Sequence, residues 1–337
     1  IEIIEGFNPS QVELNPDIYI VGNIVKRGNP LMETILNEDL TFQSGPQWLF
    51  ENILHEKWVI AITGTHGKTT TTAMLTWIFE YAGLNPSYLI GGIPTNLKSS
   101  SRFIENKKSN FFILEADEYD TAFFDKRSKF IHYHPRTLVM NNLEFDHADI
   151  FDDLDHIKKH FHHLVRIIPE KGRIISNAKS KALDSVIKLG IWSELEFFND
   201  DKGWSYQWVD DKNSIDILYR NKKQGSLDWE LIGDHNASNA LAAIAAANHI
   251  DIPISKSIEA LKEQGAKKFI FDLRRNSGGL LSEAVNVSNI FVDKGKEVVS
   301  TKGKVKEWNK TYKTLNMVTD INAPLVVLTS GGTASAA

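Results

Sequence analysis

The clearest alternation of apolar and polar residues lies between residues 58 and 83. The apolar run at 58–62 (WVIAI) has the length and composition of one buried parallel strand. A polar turn containing glycine follows it. Apolar residues then recur at helical spacing, and a glycine ends the pattern: Met74, Leu75, Ile78, Phe79, Ala82 and Gly83. The pattern predicts a strand, a tight turn and a helix in direct succession.

Similar apolar runs predict more strands of the same sheet, at residues 17–22, 88–92, 111–116, 137–142 and 172–177. Helical patterns are expected from residue 44, over 152–168, and over an alanine-rich segment ending at 248. Between 195 and 232, aromatic residues alternate with polar ones, which predicts antiparallel strands added to the sheet. Strands alternating with helices predict an α/β fold with a central parallel sheet.

Composition narrows the function classes. The chain has 337 residues, enough for two or three domains, with 42% hydrophobic and 24% charged residues, as in ordinary globular proteins. A net charge of -5 gives no reason to expect a nucleic-acid partner. No apolar run approaches the ~18 residues of a membrane span, so no membrane partner is expected. The absence of cysteine fits a reducing compartment, and a cytoplasmic location is predicted.

The turn after the first strand, GTHGKTT (residues 64–70), has the composition of a phosphate cradle. Its glycines let backbone N–H groups close on phosphate oxygens, and the following helix N-terminus adds positive potential. Lys68 is placed to reach the β- and γ-phosphates, and the Thr69 hydroxyl to hold Mg²⁺. The eight-residue pattern of the common phosphate loop is not met, because Ile62 stands at its first glycine. The alternative is a plain strand–helix turn.

Carboxylates follow the run at 111–116, and a histidine follows the run at 137–142. The acids are Glu115, Asp117, Glu118 and Asp120. In a parallel sheet these strand ends share an edge with the phosphate loop, where a carboxylate would complete a Mg²⁺ shell. Alternation makes Glu115 the least exposed acid and the preferred ligand, although a solvated strand end is the alternative. Asp146 and His147 are candidates for a second metal or the γ-phosphate.

Two asparagines open the alanine-rich helix. Asn236 and Asn239 are spaced i, i+3, which places two carboxamides on one face of the first turn. A pair of carboxamides offers both donors and acceptors to a purine edge. An N-cap with a polar first turn explains the same residues without a ligand.

Taken together, these motifs resemble those of the Mur ligases, the ATP-dependent amide-forming enzymes of peptidoglycan synthesis. The matching pieces are GTHGKTT (64–70), EADEYD (115–120), NLEFDH (142–147) and GDHNASN (233–239). Further segments, at 44–49, 90–96 and 118–137, resemble the members that act in peptidoglycan recycling. The resemblance covers roughly residues 1–262. It implies two substrates, UDP-N-acetylmuramate and the murein tripeptide L-alanyl-γ-D-glutamyl-meso-diaminopimelate.

The resemblance also implies residue roles. The loop residues Gly64, Thr65, His66, Gly67, Lys68, Thr69 and Thr70 would bind ATP. Mg²⁺ would be held by Thr69 and Glu115, His147 would serve a second metal, and Asn236 and Asn239 would contact adenine. The implied catalytic residues are Lys68, Glu115 and His147. The family mechanism passes the γ-phosphoryl group to the muramyl carboxylate, and the peptide amine then attacks the acyl phosphate.

The chain departs from this family at its ends. We expect the glycine-rich first strand of the UDP-sugar domain to be absent before Ile1, and the peptide-binding C-terminal domain to be absent too. ATP binding without efficient ligation is therefore expected of this chain.

The segment after residue 262 has a different character. Apolar runs at 269–273 and 323–328 predict two strands, followed by DLRRNSGGL (272–280) and GTAS (332–335) motifs. These resemble the carboxy-terminal processing peptidases, a Ser/Lys family, and place Ser335 at the nucleophile position. The family's lysine would lie beyond Ala337, so this serine is expected to be inactive.

Three domains follow from the two resemblances. Residues 1–54 are predicted to be a partial Rossmann-like UDP-muramate-binding domain, and residues 55–262 a central P-loop ATPase domain of Mur ligase type. Residues 263–337 are predicted to be a truncated α/β peptidase-like segment. The chain is thus interpreted as two unrelated pieces joined near residues 260–263, by natural fusion, mis-assembly or engineering. Its alternatives to a ligase are a peptidase fragment and a nucleotide-binding relic.

Overall fold

A computed structural model of the chain describes residues 3–94, 96–144, 153–209, 214–228, 233–263, 269–272, 281, 284–285, 287–288, 292–301, 309–315 and 325–329. The helices are α1 (Pro30–Asn37), α2 (Gly45–Asn52), α3 (Lys68–Tyr81), α4 (Leu154–Arg166), α5 (Lys181–Lys188), α6 (Asp234–Asn248) and α7 (Ile254–Lys262). The strands are β1 (Tyr19–Val21), β2 (Phe42–Ser44), β3 (Trp58–Thr63), β4 (Ser87–Leu89), β5 (Ser101–Arg102), β6 (Phe111–Glu115), β7 (Asp120–Ala122), β8 (Asp125–Ser128), β9 (Thr137–Met140), β10 (Arg173–Asn177), β11 (Glu194–Phe198), β12 (Trp204–Trp208), β13 (Ser214–Tyr219), β14 (Lys222–Asp228), β15 (Phe269–Asp272), β16 (Glu297–Thr301), β17 (Lys310–Lys313) and β18 (Leu325–Leu328).

A ten-stranded sheet forms the centre, in the order β14-β13-β12-β11-β10-β9-β3-β6-β4-β5. The six strands from β11 to β4 pair in parallel throughout. The predicted α/β class with a central parallel sheet is confirmed. Since β3 comes first in the chain among these six but lies between β9 and β6, the strand order reverses at β3. In such sheets, ligands bind beyond the carboxyl end of the strand at this switch point.

The apolar residues of the strands bury both faces of the sheet. One face packs against α4 and α5, with Val59 and Ala61 of β3 in the same buried cluster as Phe161 and Leu183. The other helix pair, α3 and α7, is joined by a 2.9 Å hydrogen bond from Trp77 Nε1 to the Ala260 carbonyl. Helix α6 is buried on all sides along its alanine-rich length, which is typical of a helix inside a core.

The N-terminal strands β1 and β2 form a separate parallel pair with a register of Tyr19 opposite Phe42. Val21, Met32 and Ile35 make a small core beneath them. Ser44 caps helix α2, because its hydroxyl accepts a hydrogen bond from the Gln47 amide. The predicted helix start at residue 44 is therefore confirmed.

The described residues divide into two compact units. The first consists of Ile1–Val209, Ser214–Leu227 and Ser238–Glu263, and the second of Asp210–Asn213, Asp228–Ala237 and Gln264–Ala337. In the second unit, β15 and β18 pair in parallel, so the two strands predicted there are present. β16 and β17 form an antiparallel pair in the same unit.

The predicted antiparallel addition after residue 195 is wrong for its first strand. β11 pairs in parallel with β10. The reason is α5, a helix that the sequence analysis did not predict, which carries the chain back across the sheet so that β11 runs in the direction of β10. The antiparallel arrangement begins with the β12–β13 pair, where Trp204 lies opposite Tyr219. Within the described part of the chain, no helix is both long and apolar enough to cross a membrane.

Candidate active site

The loop between β3 and α3 lies at the switch point of the sheet. Gly64, with φ +136°, and Gly67, with φ +79°, adopt backbone conformations that favour glycine. Gly67 is the N-cap of α3, and no side chain caps this 14-residue helix. The first-turn N–H groups therefore lack the side-chain partner that capping usually supplies, which suits an anion.

Neither loop glycine has space around it for a side chain. A Cβ at Gly67 would lie 2.5 Å from Asn239 Oδ1 and 3.2 Å from Asn141 Nδ2. A Cβ at Gly64 would lie 3.0 Å from the Asn142 nitrogen. The loop is thus pressed against the end of β9 and the first turns of α6, and a side chain would push it away from both.

Lys68 is held by two oxygens. Its Nζ donates to the Gly64 carbonyl at 2.7 Å and lies 3.2 Å from Glu118 Oε2. The side chains of Lys68 and Glu118 are only 12% and 3% exposed. The Lys68 ammonium therefore lies within the loop, and its charge is balanced by a buried carboxylate.

The expectation that Glu115 is the least exposed acid is wrong, because Glu118 is buried and Glu115 is half-buried. Strand alternation ends where β6 ends, at Glu115. Beyond Glu115 the chain turns, so alternation no longer predicts which side chains are buried. Glu118 is buried where it forms an ion pair with Lys68.

Glu115 nevertheless points at the helix N-terminus. The Thr69 hydroxyl lies 2.9 and 3.1 Å from the two Glu115 carboxylate oxygens, and the Gly91 amide donates to Glu115 Oε2 at 2.9 Å. A carboxylate beside a hydroxyl fits the oxygen donors that Mg²⁺ prefers, with phosphate and water supplying the rest of the shell. Across the residues that the structure describes, no group of three or more His, Asp or Glu side chains is placed to hold a metal.

Two other loop residues form hydrogen bonds with the segment that follows β9. The Thr65 hydroxyl accepts a hydrogen bond from the Glu144 amide at 2.9 Å. The His66 amide donates to Asn142 Oδ1 at 2.8 Å, and its exposed imidazole lies 3.8 Å from Glu144 Oε2. Because its N–H is used, His66 has only its side chain to offer a ligand. Thr70 lies in the first turn of α3.

Of the two predicted purine contacts, Asn239 is 8% exposed, and its oxygen is the atom nearest a Cβ at Gly67. Asn236 lies one turn earlier in α6, and its amide donates to the Gly233 carbonyl at 3.1 Å. His147 and its neighbour Asp146 lie outside the described residues, as does Ser335.

Asn141 and Asn142 both contact this site, although no role was predicted for either residue. Asn141 is 3% exposed and donates from Nδ2 to Thr71 Oγ1 at 2.9 Å. Asn142 binds the backbone of His66 with both ends of its carboxamide. A signal was present, because both are polar residues at the carboxyl end of a buried parallel run.

A cavity of about 510 Å³ lies in the same compact unit as the phosphate loop. The end of β1, the start of α2 and the segment after β8 line it, including Gly22, Gly45, Trp48, Lys129 and Tyr133. Lys129 is partly exposed there, 3.3 Å from Asp117 Oδ2. Burial, with a smaller effect from Asp117, raises the pKa of the Tyr133 phenol above its ordinary value.

A glycine-bounded loop leading from a switch-point strand into an uncapped helix is the arrangement of phosphate-binding α/β proteins. Comparison with known families places the chain more narrowly, because residues 62–247 match the model of the Mur ligase middle domain. The chain belongs to the Mur ligase family. Residues 245–337 match the model of peptidase family S41, so both predicted resemblances are confirmed.

Individual relatives agree with this assignment. The chain is 47% identical over 281 residues to the UDP-N-acetylmuramate–L-alanyl-γ-D-glutamyl-meso-2,6-diaminoheptandioate ligase of Escherichia coli (strain K12), covering 83% of this chain and 61% of that protein. It is 48% identical over 262 residues to the ligase of the same name from Haemophilus influenzae, covering 77% of this chain and 57% of that protein. The chain thus spans about three fifths of the length of these relatives.

A solved structure gives the same match. The crystal structure of UDP-N-acetylmuramate:L-alanyl-γ-D-glutamyl-meso-diaminopimelate ligase from Neisseria meningitides superposes with a TM-score of 0.75 at 50% identity, covering 77% of this chain and 82% of that one.

Proposed function

We propose that this chain carries the ATP-binding core of a ligase that joins UDP-N-acetylmuramate to L-alanyl-γ-D-glutamyl-meso-diaminopimelate in peptidoglycan recycling. The observation that carries the proposal is the meeting of Lys68, Thr69 and Glu115 at the uncapped start of α3. The names of the relatives from Escherichia coli and Neisseria supply the two substrates. The compartment in which the chain works, predicted as cytoplasmic, stays a prediction.

The proposed roles follow from charge. Lys68 and the first-turn amides of α3 would face the β- and γ-phosphates, so that two anions can approach each other. Glu115 and Thr69 would hold Mg²⁺, which when bound neutralises phosphate charge. Asn236 and Asn239 are proposed to contact adenine, and His147 to serve a second metal.

The proposed reaction has two steps. A muramyl carboxylate oxygen attacks the γ-phosphorus, the bond to the β-phosphate oxygen breaks, and ADP leaves an acyl phosphate behind. The peptide amine then attacks the carbonyl carbon, the carbon–oxygen bond to phosphate breaks, and the amine loses its proton as the amide forms. The role of Lys68 is to stabilise negative charge on the transferred group in the first step.

The cavity at the end of β1 is the proposed site of UDP-N-acetylmuramate. It combines a cation, Lys129, with the aromatic surfaces of Trp48 and Tyr133, which suits a charged sugar nucleotide. Residues 1–54 and 55–262 are proposed as the two domains that meet this substrate, and residues 263–337 as a separate domain.

Two measurements test the proposal. Calorimetric titration of the chain with ATP and Mg²⁺ should give saturable binding, and mass spectrometry should detect inefficient formation of UDP-N-acetylmuramyl-tripeptide. With ¹⁸O in the muramyl carboxylate, one labelled oxygen should appear in the released phosphate. Absence of ATP binding would refute the proposal. ATP binding with no detectable product would leave a nucleotide-binding protein, the non-catalytic alternative.

The match of residues 245–337 to peptidase family S41 favours a second candidate function, a serine peptidase segment. Its test is labelling by a fluorophosphonate, with Ser335→Ala as the control. Labelling of the original chain but not the variant would support a peptidase-like nucleophile, and equal signals would refute it.

A further inference from the structure

The carboxamide of Asn142 binds one residue of the phosphate loop, His66, at both of its backbone polar groups. Its Oδ1 accepts from the His66 N–H at 2.8 Å, and its Nδ2 donates to the His66 carbonyl at 3.0 Å. This is the pairing that one residue of a strand gives its neighbour, made here by a side chain. It fixes the backbone of His66, two residues before Lys68.

The backbone around this contact runs alongside the loop. Thr65 N donates to the Asn142 carbonyl at 3.4 Å, and the Glu144 amide donates to the Thr65 hydroxyl at 2.9 Å. The Asn142 nitrogen is also the atom nearest a Cβ at Gly64. Residues 64–66 therefore pack against residues 142–144. The Asn142 carboxamide lies at the centre of this contact, and a substitution can remove it.

The contact also decides which amides are left for a ligand. Since the Thr65 and His66 N–H groups are both bonded to Asn142, the next backbone donors towards α3 are those of Gly67 and the first helical turn. Gly67 itself requires φ +79°, a conformation that a freely moving loop would adopt only part of the time. Holding His66 in place thus restrains the turn that presents the α3 amides and Lys68.

We propose that Asn142 is a positioning residue that sets the affinity of the loop for the polyphosphate chain of a nucleotide. This inference rests on the proposed function, because it assumes that the loop binds a nucleoside triphosphate. It assigns Asn142 no contact with the nucleotide. Asn142 acts through His66, so its effect increases with the number of phosphates and is absent for the nucleoside.

A matched control lies on the neighbouring strand. Asn177 ends β10 at the same sheet edge, donates from Nδ2 to the Asn141 carbonyl at 2.8 Å, and accepts from the Lys179 amide at 3.0 Å. Its side chain forms hydrogen bonds with Asn141, Lys179 and Asn199, and these partners lie outside the phosphate loop. Its removal perturbs the same edge without releasing His66.

The experiment titrates the full chain and its Asn142→Ala and Asn177→Ala variants with adenosine, ADP and ATP. For Asn142→Ala we expect the Kd of ATP to rise roughly tenfold to a hundredfold, that of ADP less, and that of adenosine by under about twofold. Asn177→Ala should give no such graded loss. Hydrogen exchange of the 64–67 amides should be faster in Asn142→Ala, with exchange in β3 unchanged.

If adenosine and ATP weakened equally, or if ATP affinity stayed unchanged, the positioning role would be wrong while ATP binding by the original chain still supported the proposed function. If the original chain bound no ATP, both would be wrong. Should Asn142→Ala fail to fold, Asn142→Asp keeps the size and the acceptor but places an oxygen against the His66 carbonyl. Asn177→Asp then controls for the added charge, and the same graded loss is expected for Asn142→Asp alone.

Discussion

The two ends of strands β3 and β9 use polar residues in opposite ways. At the amino ends, Trp58 Nε1 donates to Thr137 Oγ1 at 3.0 Å, and Thr137 Oγ1 lies 2.9 Å from His249 Nδ1. The indole can only donate, so the Thr137 hydroxyl accepts from it, and a His249 ring with its proton on Nε2 accepts the hydroxyl hydrogen at Nδ1. Every member of this chain of groups finds its partner within the protein.

At the carboxyl ends, β3 leads into the glycine turn, the uncapped helix α3 and a lysine beside a carboxylate, and β9 leads into Asn141 and Asn142. Polar groups there are held in place, yet some of them keep capacity for a ligand. The amino-terminal edge of the sheet therefore stabilises the fold, and the carboxyl-terminal edge binds the ligand. Substitutions at the binding edge should therefore change affinity, and substitutions at the opposite edge should change stability.

The largest effect is expected for Lys68→Ala. It should weaken ATP binding by roughly a hundredfold or more, because the cation facing the phosphates is lost. It also removes the cation that faces the buried Glu118 carboxylate, which should lower the free energy of unfolding by about 3 kcal/mol. Calorimetric titration and urea unfolding measure the two effects.

The double variant Lys68→Ala/Glu118→Gln separates them. Removing the Glu118 charge should restore most of the stability but not the affinity. Recovery of ATP binding in the double variant would show that Lys68 acts only as the partner of Glu118, and the comparison of the two edges would then break.

A methyl group at Gly67 should have the next largest effect. Gly67→Ala places a Cβ 2.5 Å from Asn239 Oδ1 in a left-handed conformation, so both strain and a clash oppose it. Gly83→Ala is the matched control, because Gly83 has the same φ of +79° but open space around it.

Both variants should lose roughly 1–2 kcal/mol to the backbone conformation. Only Gly67→Ala should also weaken ATP binding, by about tenfold or more. Thermal unfolding and ATP titration of the two proteins check this. Equal ATP affinities would mean that the loop tolerates displacement from Asn239.

At the opposite edge, Thr137→Val should lower stability by about 1–3 kcal/mol, because the partly buried Trp58 N–H and His249 Nδ1 lose their shared partner. The Kd of ATP should change by less than about twofold. Thr34→Val, which removes an exposed hydroxyl bonded to the Pro30 carbonyl, is the control and should stay near the original stability. A large change in ATP affinity for Thr137→Val would contradict the separation of the two edges.

Much of this arrangement was open to prediction from periodicity alone. The run at 58–62 and the helical spacing up to Ala82 predicted β3 and α3, because apolar patterns report burial directly. The loop between them was predictable from its glycines and Lys68. By contrast, the β7–β8 hairpin was not predicted, since its residues Asp120–Ala122 and Asp125–Ser128 lack an apolar alternation.

The partners within the site were harder to predict. The ion pair between Lys68 and Glu118 joins residues 50 positions apart and depends on how the chain turns after β6. The two hydrogen bonds between the Asn142 side chain and the His66 backbone depend on the register of β9 against β3, which places Met140 opposite Thr63. Residue types predicted which edge binds, while the pairing of individual side chains required the packed structure.

The smallest effect concerns the pH dependence of the stabilising edge. Burial, followed by the nearby charge of Arg173, lowers the pKa of His249 from 6.5 to about 4, against the weaker opposing effects of Glu194 and Asp251. Since the unfolded chain takes up this proton more readily, the contribution of neutral His249 to stability is complete above about pH 6.5 and is lost as the pH falls towards 4. His249→Asn keeps an acceptor near the position of Nδ1 but cannot titrate, so its free energy of unfolding should fall less steeply between pH 7 and 4.5.

His160 is the control, because burial and its neighbours His156 and His163 lower its pKa to about 4 as well, while its Nδ1 lies 2.7 Å from Ser128 Oγ, away from this edge. His160→Asn should remove a separate share of the slope, and Thr137→Val should reduce the share of His249 alone, because it removes the donor that favours the neutral ring. An unchanged slope in His249→Asn would mean that folding does not lower the pKa of His249, and the stability would then not depend on its protonation.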